Sequence, residues 1–388
     1  MRILSIDFSI PYLLKDENYP IGGWSIELSI WLRALEDAGH EAAVLTWKGA
    51  LAHVGSGQQI KLIETYDPAH GMRVAKYFYH IAKVLAAARA YRPDIIIQGA
   101  RGVGTAIMAF VADQLRVPFV YRVVSDADVD ERYKIGLRHY EWLSYSWARQ
   151  RTAAFLCQNR YQRDQLAARF PGTPIHVIHN PIVVAEDATT PLPRPERRYV
   201  AWLGVFRHPK NLPLLLRVAQ ELPELEFRVA GMLSRDADQA TVDAVNGLRD
   251  LPNVQLVGYV RRADIRSFLS EAALLLCTSH YEGFSNAFLE ALAVGTPVVT
   301  RRLVDPDSIV LSHALGASAH ESTLSKSAKM VWDMDENEYG TLAGRCQTYV
   351  KANHSPMVKA HELIAALTPL IAKQQRSCQP LGLDPIKR

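Results

Sequence analysis

Two carboxylates eight positions apart, Glu282 and Glu290, bracket the run EGFSNAFLE, which follows directly on the apolar stretch LLLCTSHY. LLLCTS reads as a buried strand, and NAFLEAL carries apolar residues at helical spacing. Glu282 then falls in the loop at a strand's carboxyl end, and Glu290 about a turn inside the next helix. Gly283 permits a sharp backbone turn, while Ser285 or Asn286 suits the cap position. The amides of Phe284 to Ala287 would point beyond the strand and could hold a phosphate. Glu290 is flanked by Phe288, Leu289, Ala291 and Leu292, a poor setting for an idle charge. It could accept bonds from a sugar diol, each contributing roughly 1.5–3 kcal/mol. The bland alternatives are a solvated helix residue at 290 and, at 282, a carboxylate that only favours the helix dipole.

A diphosphate held there needs counter-charge. Arg207 and Lys210 follow the apolar run YVAWLGVF and are suited to it, Arg as a bidentate fork and Lys as a point charge. Gly22-Gly23 lies shortly after the first strand and opens a helix; such a pair lets a backbone pass close to a ligand, or simply makes a tight turn. Asp126 ends the run PFVYRVVSD and could bind donor or acceptor hydroxyls, although Asp126, Asp128 and Asp130 equally suit a solvated acidic loop.

The elements that must position these residues repeat one pattern twice. RILSIDF, EAAVLTW, DIIIQGA, VPFVYRVVSD, FLCQN and IHVIHNPI are apolar runs separated by helical stretches, among them 22–38 and AKYFYHIAKVLAAARAY. After residues 182–198, with Pro191, Pro193 and Pro195 among mixed charges, the alternation restarts with YVAWLGVF, LEFRVAGM, VQLVGYV, ALLLCTS and PVVTRR. Buried strands alternating with helices predict parallel sheets covered on both faces. The chain is therefore expected to be α/β, with two doubly wound Rossmann-like domains: 1–181, an exposed linker at 182–198, and 199–355. Residues 356–388 form a C-terminal helix that could pack back on the first domain, and a frayed tail. In such sheets ligands gather beyond the carboxyl ends of the strands, and two facing sheets make a cleft.

With 388 residues, 48% hydrophobic and 22% charged, the composition is globular. No apolar run reaches the roughly 18 residues of a membrane span, and the N-terminus lacks a secretory apolar core. Cys157, Cys277, Cys346 and Cys378 have no metal-ligand spacing, so a reducing cytoplasm is expected and a metal is not. The net charge of +4 is too small to argue for nucleic acid.

The stretch EGFSNAFLEALAVGTPVV resembles the E-x7-E signature of retaining glycosyltransferases of family 4, which have the two-domain GT-B fold. The likeness extends to the Gly-Gly helix, HNPI at 179–182, GVFRHPKN at 204–211, VAGM at 229–232 with Gly231, and LVGYV at 256–260. It implies metal-independent transfer of a sugar, without a cofactor, from a nucleotide sugar such as a UDP- or GDP-sugar. The acceptor would be a saccharide or lipid-linked molecule of bacterial polysaccharide or glycolipid synthesis. By matching position, Glu282 would contact the donor sugar near the reacting centre and Glu290 the ribose. The base would lie near Gly258-Tyr259, and the diphosphate on Lys210, Arg207 and the amides after Glu282. Two departures stand out. Val205 occupies the place of the family's arginine, which makes Arg207, two residues on and on the same side of an extended strand, the inferred substitute. Ser125 stands where many relatives have a histidine.

GARGVG at 99–104 lacks the G-x-G-x-x-G order of a nicotinamide site and sits far from the first strand. A GT-B-like protein that binds a nucleotide sugar without turnover is the other alternative. Segment 132–151 mixes Arg and Lys with Tyr133, Tyr140, Trp142, Tyr145 and Trp147. As a single helix it would either cover the sheet or rest peripherally on the inner surface of an anionic membrane.

Overall fold

The computed structural model describes residues 1–15, 21–55, 59–68, 75–184 and 191–377. Two parallel sheets organise them. The first comprises β1 (Arg2–Ile6), β2 (Glu41–Thr46), β3 (Lys61–Glu64), β4 (Ile95–Gly99), β5 (Phe119–Arg122), β6 (Ala154–Cys157) and β7 (Ile175–Val177), in spatial order 3-2-1-4-5-6-7. The second comprises β8 (Tyr199–Leu203), β9 (Phe227–Ala230), β10 (Val254–Gly258), β11 (Ala272–Cys277), β12 (Val298–Arg301) and β13 (Gly316–Ala319), in order 10-9-8-11-12-13. Every recorded pairing is parallel, for example Ile96 opposite Phe119 and Leu275 opposite Val298. β4 and β11 are buried along their whole length, because helices cover both faces.

Each strand order reverses once, between β1 and β4 and between β8 and β11. At such a reversal neighbouring connections leave in opposite directions and open a crevice at the carboxyl ends. The loops carrying Gly22-Gly23, Lys210 and Glu282 follow β1, β8 and β11, so all three lie at reversals.

β3 and β13 are absent from the expectations drawn from the sequence. Both are four-residue edge strands, KLIE and GASA, each held by one neighbour. Segment 132–151 is not one helix. A 3-10 turn (Glu131–Lys134) and a helix (His139–Arg149) are separated by Gly136 at φ +77. Nor is the described part of 182–198 an exposed tether. Arg197 is buried, and its guanidinium donates to the carbonyls of Leu192, Ala272 and Val294 and to the Thr296 hydroxyl. Residues 185–190 and the expected tail 378–388 lie outside the described residues. The helix Pro356–Ser377 packs on the helix Gly23–Asp37, and Leu363, Ala366 and Leu367 join the cluster formed by Ile3, Leu28 and Trp31.

One glycine shows how tightly the second sheet's carboxyl edge is drawn. Gly231 has φ +152, and a Cβ there would stand 1.9 Å from the Gly204 carbonyl oxygen. Gly231→Ala is expected to cost about 3 kcal/mol through backbone strain and overpacking. Urea unfolding of the variant should show a lower midpoint at unchanged slope; an unaltered midpoint would contradict the close packing.

Candidate functional site

The loop after β8 carries Lys210 into the crevice. The Trp202 indole donates to the Thr278 hydroxyl at 3.0 Å, which donates to the Lys210 carbonyl at 2.8 Å, so the end of β11 fixes the backbone of Lys210. The Lys210 stem crosses Gly204, where a Cβ would meet its Cε at 3.3 Å. Its Nζ then reaches Glu282 Oε1 at 2.6 Å, and the Ser279 hydroxyl donates to the same oxygen at 2.6 Å. Behind this pair, Arg301 at the end of β12 donates to the Ser279 carbonyl at 2.8 Å and pairs with Glu321 at 3.0 Å. Two cations, each paired with a glutamate, thus come from two different strand ends where the sequence suggested two cations from a single loop.

Arg207 does not join them. An extended strand through 207 would have kept it on the facing side, but β8 stops at Leu203; Arg207 is exposed, and its charge acts on Asp236.

Gly283 and Asn286 differ from expectation in an informative way. Gly283 is not among the positive-φ glycines, so no sharp turn requires it. A Cβ there would lie 2.0 Å from Gln158 Oε1 and 3.0 Å from the Val124 carbonyl, so the glycine is needed for close approach to the first domain. Ser285 occupies the cap position of the helix Asn286–Ala293 without a side-chain cap bond. The Asn286 side chain turns across the cleft instead, donating to the Gly23 carbonyl at 3.2 Å. The helix Gly23–Asp37 likewise starts at Gly22 without a side-chain cap. Two helix N-termini with no side-chain cap therefore face each other, and their amide dipoles favour an anion between them.

A buried polar chain holds this meeting. Glu27, one turn into the first helix, pairs with Arg122 at 2.7 Å. Arg122 donates to Asn180 Oδ1 at 2.9 Å, and Asn180 Nδ2 donates to Asn286 Oδ1 at 2.8 Å and the Phe284 carbonyl at 3.3 Å. Sequence reasoning used Asn180 only as part of HNPI and passed over Glu27 and Arg122. A glutamate inside an otherwise apolar helical stretch, and an arginine inside the strand FVYR, were the available signals.

Asp126 sits across the cleft from Glu282, its amide donating to the Glu282 carbonyl at 3.4 Å. Asn159 and Gln162 both donate to Asp126 Oδ1 at 2.9 Å, and Asn159 also donates to the Gly283 carbonyl at 2.9 Å. Burial pushes the Asp126 carboxyl up to about 7, against the pull of those two amides and of Arg132. Ser125, where a histidine would have stood, caps the following turn and accepts from the Ala127 amide at 3.3 Å. Asp128 is no solvated loop acid: it is buried, pairs with Arg101 at 3.1 Å, and accepts from the amides of Val124 and Ser125.

Glu290 is paired with Arg262, which donates to its Oε1. Gly231 and Gly258 close the carboxyl edge together, the Gly231 amide donating to the Gly258 carbonyl at 2.8 Å. The Tyr259 side chain lines an open groove of about 530 Å³ with Tyr199, Arg228 and Phe268, which extends toward the amino ends of β8 and β11 rather than to the Glu282 loop. Among the described residues no group of three His, Cys, Asp or Glu side chains could hold a metal ion.

Two family models match this chain: Glycosyltransferase Family 4 over residues 23–186, and Glycosyl transferases group 1 over residues 197–324. No curated protein matches it in sequence. Among solved structures, sucrose-phosphate synthase from Thermosynechococcus elongatus is similar with TM-score 0.72 and 17% identity, over 96% of this chain and 100% of that one. HepE from Anabaena, in complex with UDP-glucose, has TM-score 0.73 and 15% identity over 95% and 100%. A TarM variant from S. aureus, in a complex that contains alpha-GlcNAc-glycerol and UDP, has TM-score 0.71 and 11% identity over 94% and 99%. These likenesses show the GT-B architecture of two facing α/β domains.

The raised Asp126 carboxyl has a signed consequence. Between the ordinary range near 3.8 and about 7, the unfolded chain has lost the proton that the folded chain keeps. Asp126 therefore costs stability increasingly as pH rises through that window, and by a constant amount above it. Asp126→Asn should gain melting temperature over wild type at pH 8, with the gain shrinking at pH 5; a gain independent of pH would contradict the shifted carboxyl.

Proposed function

The chain belongs to the family 4 glycosyltransferases, and on that footing we propose that it transfers a sugar, with retained anomeric configuration and without a metal ion, from a nucleotide sugar to a saccharide or lipid-linked acceptor in bacterial polysaccharide or glycolipid assembly. The observation that carries this reading is the meeting of two helix N-termini beside the Lys210–Glu282 pair. A diphosphate leaving group gains negative charge as the glycosidic bond breaks, and fixed dipoles with a cation stabilise that charge without reorganising.

In this reading the diphosphate lies between Gly22-Gly23 and the amides of Phe284 to Ala287. Lys210 neutralises it and Arg301 adds positive potential behind. Arg262 leaves one oxygen of Glu290 for the ribose hydroxyls, and the base meets the main chain around Gly258. Glu282, committed through Oε1 to Lys210 and Ser279, is suited to orienting the donor sugar and poorly suited to nucleophilic attack. Retention then follows from attack on the face from which the diphosphate departs, with the leaving phosphate oxygen taking the acceptor's proton. Asp126 Oδ2 is the group best placed to bind an acceptor or donor hydroxyl from the first domain. Water exclusion between the domains limits hydrolysis.

A lipid-linked acceptor would bring the enzyme to the cytoplasmic face of a membrane, and one surface suits that. Phe78 is 74% exposed at the start of the helix Ala75–Tyr91. Beside it, Tyr77 touches Tyr140 at 6.4 Å between ring centroids, and Leu143 is exposed one turn further on. Lys76, Lys134 and Arg138 flank these residues, the mixture of apolar and basic groups that favours anionic headgroups. Tyr133 and Tyr145 turn inward and take no part.

Three measurements check this reading. A thermal-shift screen with UDP-, GDP- and ADP-sugars should identify one stabilising donor, and transfer assays with that donor should show turnover. Lys210→Ala should lower kcat roughly a hundredfold or more, and added chelator should leave activity intact; wild-type kcat in the variant would remove Lys210 from the mechanism. The protein should sediment with anionic vesicles and less with neutral ones, and Phe78→Ser should weaken that; equal failure to bind either removes the membrane contact.

A further inference from the structure

We infer that Asn180 is a positioning residue that sets the separation of the two facing helix N-termini, and so the width of the anion site. The inference rests on the diphosphate reading above for its ligand, but not for its geometry. Asn180 is 1% exposed and all of its polar side-chain atoms are used. Its Oδ1 accepts from Arg122 Nη2 and from Gln158 Nε2, both at 2.9 Å. A guanidinium carries donors only, so the amide oxygen must face Arg122 and the amide nitrogen must face the second domain. That nitrogen donates to Asn286 Oδ1 and to the Phe284 carbonyl. With its oxygen so engaged, Asn286 turns its own nitrogen to the Gly23 carbonyl.

The contacts close into a ring. Gly23 and Glu27 share one helix, Glu27 holds Arg122, Arg122 holds Asn180, Asn180 holds Asn286, and Asn286 returns to Gly23. The donor direction is the same at every step after the arginine, so reversing one amide would set two like atoms against each other at the next. The ring also explains the side chain at this position. An amide accepts two bonds from the first domain at its oxygen while donating two to the second at its nitrogen, which a single hydroxyl hydrogen does not supply; an aspartate would keep both bonds to Arg122 and Gln158 and lose both bonds across the cleft. The backbone of Asn180 is anchored separately, its carbonyl accepting from His354 Nδ1 at 2.8 Å. Changes at the side chain therefore leave that attachment of the crossover in place.

Two variants test the inference. Asn180→Asp removes the donor half and keeps the acceptor half, and Asn286→Ala cuts the ring from the second domain at a half-buried position, in case the first variant does not fold. In each, hydrogen exchange is expected to accelerate in peptides covering 22–26 and 283–288 while the rest of the chain exchanges as in wild type. Affinity for whichever of UDP, GDP or ADP binds wild type should fall roughly tenfold by calorimetry, as expected when the displaced helix start costs the charged diphosphate one hydrogen bond. A merely structural role would speed exchange throughout, and that result, or unchanged exchange at the two helix starts, overturns the inference. Should none of the three nucleotides bind wild type, the transferase reading fails at that point, and the exchange pattern alone still decides for or against Asn180.

Discussion

The buried pair of Glu27 and Arg122 is the constraint on which the arrangement of this cleft depends. Removing charges from water is costly, and breaking such a pair by removing one partner costs roughly 3–5 kcal/mol. The pair is tolerated because its remaining polar atoms are satisfied: Trp31 and Gln158 donate to Glu27, and Arg122 also donates to the carbonyls of Cys157 and Ile178. Its effect is directional. A guanidinium fixed at the carboxyl end of β5 dictates which way Asn180 faces, and Asn180 in turn donates to the start of the second domain's helix at Asn286.

From that constraint the rest of the site follows in layers. The reversal points of the two sheets place the loops after β1, β8 and β11 at facing carboxyl edges. Glycines then allow close approach where side chains would collide: Gly283 against Gln158, and Gly204 beneath the Lys210 stem. Lys210 holds Glu282 directly with Arg301 behind the pair, and Asp126 approaches the Glu282 loop from the first domain, with burial keeping it inclined to hold its proton.

Some departures from the family pattern are thereby given a structural setting. Ser125 spends its hydroxyl on a turn cap, and the nearby hydrogen-bonding capacity passes to Asn159 and Gln162, which hold Asp126. Val205 stands in the family arginine's place after β8, and the arginine that comes up behind Lys210 is the half-buried Arg301 from the end of β12, a distant part of the chain. A cation needed at a point in space can be supplied from any strand that ends there.

Much of this was legible without a structure. The alternation of apolar strands with helices, the break near residue 182, the Glu282–Glu290 spacing and Lys210 all follow from local pattern, because periodicity and composition encode which face is buried. The short edge strands KLIE and GASA were not legible, since one neighbour and few apolar residues leave little signal. Nor was the site's other half. Arg207 looked right by counting along a strand that in fact had ended, Gly283 looked like a turn, and nothing near Glu290 in the chain pointed to Arg262 as its partner. The sequence by itself determined the two sheets, their carboxyl-end loops and the acids and lysine on them. Only the tertiary structure decided that Arg301, Arg262, Asn180 and Asn159 complete the site, because their partners lie 22 or more positions away along the chain and meet only through tertiary packing, within the second domain for Arg301 and Arg262 and between the domains for Asn180 and Asn159.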